Sequence, residues 1–172
     1  GRSYAITGEA LSNNTHSIYS KNGYPTYLNE IFTATVDNAG VIYQATDTLY
    51  SQSSVYSDLT VKDAYETPTS SIVIFENQSV TGDVLLKAYA EDFGLIDLSG
   101  DEGQNQSFQD AVRTDSGIFI VWEENKNGNT DIFGQYIDFE GNILGPDTGI
   151  IICENTSEQT SPSIDYLSLI HI

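Results

Sequence analysis

Three segments of this 172-residue chain share one grammar: EIFTATVDNAGVI (Glu30–Ile42), DVLLKAYAEDFGLI (Asp83–Ile96) and DIFGQYIDFEGNI (Asp131–Ile143). Each opens with an acid, continues as a strand-like run and reaches an acid-x-x-Gly turn, from Asp37 to Gly40, Glu91 to Gly94 and Asp138 to Gly141. An isoleucine follows two residues later, at Ile42, Ile96 and Ile143. The turn has a mechanism. An acid at its first position can accept backbone N–H groups, and glycine suits its last. The middle copy holds one extra residue between its first acid and its turn, as a β-bulge would produce.

Another apolar run precedes each copy: SIYS (Ser17–Ser20), SIVIF (Ser71–Phe75) and IFIVW (Ile118–Trp122). The turn pairs Asn22-Gly23, Thr81-Gly82 and Asn127-Gly128 follow them. Asn-Gly between apolar runs is a strong hairpin signal, because both central residues of a type I′ turn need positive φ. Shorter strand candidates lie around Ile6, Val61 and Val112, and a further start appears at Ser161–Ile164. Val61 and Val112 are 51 residues apart, and Val112 and Ile164 are 52 apart. A unit of three or four short strands repeating at that interval suits propeller blades and is too short for one immunoglobulin-type sandwich per repeat. The unbroken apolar run IFIVW suits a middle strand covered on both faces, whereas IFGQYID should alternate nearer a rim.

Composition agrees. Tyrosine, isoleucine, valine and threonine are plentiful, methionine is absent, and no stretch keeps helical periodicity for three turns with caps. Six basic residues against 25 acidic ones leave a formal charge of −19. That balance argues against nucleic acid, which needs a basic footprint, and against docking on anionic lipid. No window approaches a transmembrane span and no signal peptide is visible. The lone cysteine, Cys153 in GIIIC, allows no internal disulfide and reads as a buried small hydrophobe.

The third repeat and its continuation carry a resemblance. Val121-Trp122-Glu123, Asn127-Gly128-Asn129, Asp131-Ile132-Phe133, Gln135, Ile137-Asp138, Gly141-Asn142, Gly149-Ile150, Ile152-Cys153, Gln159, Pro162 and Ile164 resemble the repeat of a family of bacterial β-propellers. Those propellers occur in secreted and cell-surface proteins associated with type IX secretion. The likeness is strong over about 55 residues of this chain and diffuse over the first two repeats, where Phe75 stands for the tryptophan. It implies an all-β fold: a β-propeller fragment of about three blades of antiparallel three- to four-stranded sheets, with the start of a fourth. It also implies an extracellular or bacterial cell-surface setting, and no catalytic residues. The expected divisions are repeats at about 4–57, 58–108 and 109–160 and the start of another at 161–166. The last six residues, Leu167–Ile172 (LSLIHI), resemble the translated mosaic-end adapter of transposase-based sequencing libraries and are expected to be a non-native tail. The chain is accordingly read as part of a longer protein whose missing blades would pair with it, since a ring takes typically about four to eight.

The chemistry-bearing residues are few. Glu123, Asn125, Asn127, Asn129 and Asp131 form an oxygen-rich stretch of the kind calcium favours. As an EF-hand loop it fails, because the last ligand position would fall on Gly134. A hairpin turn is the competing reading, since the sister repeats keep the turn without the oxygens. Glu30, Asp83 and Asp131 recur on successive units and could line one rim, yet glycosidase chemistry needs two carboxylates in different environments. The two histidines are His16, in a turn-like stretch, and His171, in the suspected tail, so neither a Ser–His–acid triad nor a zinc site is assembled. No glycine loop of the phosphate-cradling type is present. Tyr24 and Tyr27 in GYPTY could stack on a sugar from a loop. Asn13, Asn77, Asn105 and Asn155 begin sequons that chance explains in so Asn- and Ser-rich a chain.

The expected function is a non-catalytic binding or scaffold segment, with no cofactor unless calcium, whose partner is an extracellular protein or glycan. The rivals are a fragment of a propeller-fold carbohydrate-active enzyme, glycosidase or lyase, and a calcium-stabilised adhesin module.

Overall fold

The structure is a computed structural model that describes residues 58–69, 71–79, 81–100, 105–126 and 128–166, together with the backbone of 4–5, 16–22, 28–36 and 42–53; of Lys126 likewise only the backbone is described. All its regular elements are strands, and no helix occurs among the described residues. They are β1 (Tyr4–Ala5), β2 (His16–Asn22), β3 (Leu28–Val36), β4 (Ile42–Ser53), β5 (Asp58–Glu66), β6 (Ser71–Gln78), β7 (Val84–Ala90), β8 (Gly94–Asp97), β9 (Asn105–Arg113), β10 (Gly117–Lys126), β11 (Asn129–Asp138) and β12 (Ile150–Cys153). They form three antiparallel four-stranded sheets, β1–β4, β5–β8 and β9–β12, each a meander with strands in chain order. The third sheet opens at Asn105, inside the stretch expected to close the second repeat.

The middle strands behave as their apolar runs predict. Ile72–Phe75 of β6 are all buried, and so are Ile118 and Ile120–Trp122 of β10. Adjacent strand residues face opposite ways, so such a run needs cover on both sides. Ile72 and Ile74 join a core shared with Ile118, Ile120, Trp122, Phe133 and Ile137 of the third sheet. Val73 and Phe75 join Leu59, Val61 and Ala64 on the opposite face. There the backbone of β2 and β3 approaches β5. Each fully buried Leu or Ile contributes about 1.5–3 kcal/mol of transfer free energy, so the shared core is the main adhesive between the second and third sheets.

β11 departs from expectation. Asp131 through Gln135 are buried without a break, and alternation starts only at Tyr136. β7, its counterpart, does alternate. The residues that break alternation are Ile132 and Gly134: Gly134 lies under the Phe119 ring of β10, and beside Ile132 the chain returns after β12, where Gln159 N–H donates to the Thr130 carbonyl at 2.7 Å and Ser161 N–H to Glu123, the register partner of Ile132.

The extra residue of the middle copy makes no bulge. β6 and β7 pair in unbroken register from Val73–Tyr89 to Gln78–Val84, and a longer hairpin loop absorbs it. Bulges occur instead in the first strand of the second and of the third sheet, where Lys62 and Gln109 are skipped. The following acids, Asp63 and Asp110, accept the N–H of Ala64 at 2.8 Å and of Ala111 at 2.9 Å. Cys153 is also a correction. It is exposed, because β12 is an edge strand, and its thiol donates to Gln159 Oε1 at 3.1 Å.

The acid-x-x-Gly turn forms at Asp138. Gly141 (φ 85) donates to the Asp138 carbonyl at 3.1 Å. Asp138 Oδ1 accepts Glu140 N–H at 3.0 Å and Asn142 N–H at 2.8 Å, and Oδ2 accepts the Asn142 amide at 2.9 Å. Gly94 (φ 80) closes the equivalent turn of the second sheet. The Phe93 ring of that turn rests on Gly141, where an added Cβ would meet Phe93 Cγ at 2.4 Å. Desolvation pushes the Asp138 carboxyl up, but the hydrogen bonds from Asn142 and Glu140 together outweigh it and hold the group below 3.8. A depressed folded pKa contributes stability above the unfolded value and loses it as pH falls through the folded one. Asp138→Ala is therefore expected to cost about 1 kcal/mol at neutral pH. Its deficit against wild type should shrink below pH 3.8. Urea unfolding at several pH values measures both, and a deficit that stays constant in acid would remove the turn from the account.

Candidate functional site

The oxygen-rich stretch lies at the β10–β11 hairpin, where Lys126 pairs with Asn129 and Gly128 has φ 82. Register decides which of its side chains can meet. Glu124 faces Asp131 and Asn125 faces Thr130, and paired residues point to the same side of a sheet. Glu123 and Asn125 therefore project from one face, and Asn129 and Asp131 from the other. Asn127 lies outside the described residues. The four described candidates are not brought together.

Each has a local partner. Asn125 donates its amide to Thr130 Oγ1 at 3.3 Å. Asn129 donates to Asp131 Oδ1 at 3.0 Å and to the Asn155 carbonyl at 2.6 Å. Asp131, only 5% exposed, also accepts Asn155 N–H at 3.2 Å. Glu123 Oε1 accepts Ser161 N–H at 2.6 Å. Among the described residues no three His, Cys, Asp or Glu side chains converge as a metal cage.

The other candidates are scattered. Asp83 sits in the loop before β7 and accepts the Thr81 hydroxyl. Glu30 is on β3, opposite Lys21, and His16 begins β2 rather than lying in a turn. Their side chains lie outside the described residues, as do Tyr24, Tyr27, His171 and the whole of Leu167–Ile172.

Sequence reading missed the most tightly organised polar group. Gln106 of β9 is 1% exposed. Its Oε1 accepts Leu86 N–H at 2.8 Å from the second sheet. Its amide donates to Ser99 Oγ at 2.5 Å and to Glu124 Oε2 at 3.4 Å. Glu124, fully buried, also accepts the Trp122 indole N–H at 3.0 Å. Two buried carboxylates, Glu124 and Asp131, thus stand opposite each other in register, supplied with donors by neutral side chains and backbone. This suits a fixed structural knot: neutral donors hold a buried carboxylate in place. One signal was available, since Glu124 is two residues from Trp122 and so shares its buried face.

A second pattern repeats between sheets. Bulge register makes Phe75 equivalent to Trp122 and Asp63 to Asp110. The next residues, Glu76 and Glu123, do the same work: Glu76 Oε1 accepts Phe108 N–H at 3.0 Å, as Glu123 accepts Ser161 N–H. Asp63 Oδ2 accepts the Tyr65 hydroxyl, which lies 2.7 Å from the Ala111 carbonyl. Asp110 Oδ2 accepts Ile164 N–H directly at 2.9 Å. Residues 161–166 therefore run along the third sheet as β9 runs along the second. Ser161, with φ 59, is held by the Glu123 carboxylate in a conformation that side chains resist.

Comparison with protein-family models, with curated proteins and with solved structures finds no match to this chain.

Proposed function

We propose that the chain is a non-catalytic β-propeller segment of a larger bacterial secreted or cell-surface protein, acting as a rigid scaffold that presents loops and edges for binding an extracellular protein or glycan. The observation that carries this reading is the repeated carboxylate latch, Glu76 to Phe108 N–H and Glu123 to Ser161 N–H, which ties the second and the third sheet, each by the same contact, to the segment that follows it. Equal units stacked by an equal contact are how a propeller or solenoid grows. The buried carboxylates Glu124 and Asp131 support the non-catalytic part, since both are enclosed and committed to donors within the fold. A surface of charge −19 favours solubility and basic partners.

The test pairs two measurements on one preparation. The chain is incubated with a panel of neutral and acidic polysaccharides while reducing ends and unsaturated uronides are followed, and retention on the same polysaccharides and on immobilised basic proteins is recorded. Retention without product release is expected. Steady release, lost in Glu124→Gln, would replace this reading with a glycosidase or lyase.

A further inference from the structure

The outer margin of the third sheet differs from that of the second. In the second sheet β8 closes the edge with exposed Asp97, which pairs with Lys87, and with Leu95 at 43% exposure. In the third sheet β12 is the edge, and Ile151 and Ile152 are 57% and 50% exposed. Leu144, 58% exposed, continues the same margin, since its N–H bonds the Tyr136 carbonyl of β11 and the adjoining Gly145 lies against Ile150. Three large apolar side chains are thus gathered on one rim, a density that solvent does not favour and that marks interaction surfaces. β12 has a register break at Ile152, and the rim is interrupted between Leu144 and Ile150, so there is no long regular ladder for a partner strand to extend. Recognition there has to go through side chains.

Charge selects the occupant. Exposed Asp147 stands in the interruption and exposed Glu154 directly follows β12. Neither forms an ion pair among the described residues. A second copy of a chain carrying −19 would be repelled from such a rim. We infer that the rim formed by Leu144, Ile151 and Ile152, bracketed by Asp147 and Glu154, is a docking surface for a basic amphipathic segment of a partner protein. Apolar side chains of the segment cover the isoleucines and its lysines or arginines face the two acids. The inference deepens the binding reading proposed above and rests on it.

Cys153 supplies a reporter beside the rim, being exposed and the only cysteine. With a fluorophore on its thiol, the chain is titrated with short peptides alternating lysine and valine, glutamate and valine, or lysine and serine. Binding of unlabelled protein is checked by calorimetry. The lysine–valine peptide is expected to bind saturably and more weakly at high salt. The double variant Ile151→Ser, Ile152→Ser should lower its affinity at least about tenfold, while the weak lysine–serine interaction should not change. Surface positions of this kind tolerate the change, and an unaltered melting curve confirms folding. Equal binding by the variant overturns the inference, as does equal binding of the glutamate–valine peptide. Concentration-dependent dimerisation abolished by the same substitutions would assign the rim to a second copy and overturn it too. A failed rim with no polysaccharide cleavage leaves the scaffold reading standing; cleavage with an intact rim does the reverse.

Discussion

Trp122→Ala is expected to remove about 3–5 kcal/mol of folding free energy, a large fraction of the total for a domain of ordinary stability. The indole is completely buried and stacks on Phe133 with centroids 6.3 Å apart and planes 21° apart. Its far edge is closed by Gly149, where an added Cβ would come within 2.9 Å of the ring and where φ is +83. Surroundings relax only partially around a deleted core side chain, so transfer and cavity terms add. The substitution also takes one donor from buried Glu124. Trp122→Phe keeps most of the ring volume but loses that donor, and should fall between wild type and alanine. Urea unfolding followed by far-ultraviolet circular dichroism measures both, because the alanine variant has no tryptophan left to report. An alanine variant within about 1 kcal/mol of wild type would mean that Trp122 is not the anchor of the third sheet.

The second large effect is predicted for Gln106→Leu, at about 2–4 kcal/mol. The substitution keeps the side chain's approximate size and removes every hydrogen bond it makes. Leu86 N–H loses the acceptor that Gln106 Oε1 provides, and Ser99 and Glu124 lose a donor. Stranding buried groups costs more than the net worth of the bonds, because their desolvation remains. Gln109→Leu, in the same strand at the bulge, changes only bonds to Ser107 and should stay within about 0.5 kcal/mol. Hydrogen exchange adds a local readout: the Leu86 amide should lose protection in Gln106→Leu and keep it in Gln109→Leu. Equal stability of the two variants would show that this knot does not tie the second sheet to the third.

Much of the local structure could be read from the chain. The Asp138–Gly141 turn, the middle strands β6 and β10 built on the runs that reach Phe75 and Trp122, and the hairpin joining β10 to β11 follow from turn chemistry and apolar runs. These depend on neighbours in sequence. The errors share a cause. GIIIC reads as buried because it is apolar, but among the described residues no strand pairs with the outer side of β12, and Ile151, Ile152 and Cys153 meet solvent. IFGQYID suggests alternation, but Phe119 of β10 covers Gly134 and a segment more than twenty residues downstream returns beside Ile132. The extra residue before the second turn looked like a bulge, but a loop could absorb it without breaking register.

The oxygen-rich hairpin shows the same division. Sequence alone established that Glu123, Asn125, Asn129 and Asp131 are close along the chain. Pairing of Glu124 with Asp131 then sent them to opposite faces. Glu123 is a latch only because Ser161 reaches it from 38 residues away.

By itself the sequence determined the all-β character, the apolar middle strands and the acid-x-x-Gly turn at Asp138, because these arise from backbone preferences over a few residues. Only the tertiary structure decided which faces are covered, which carboxylates are enclosed and which edge stays open. Burial is a property of what packs against a residue, and here the packing partners come from other sheets.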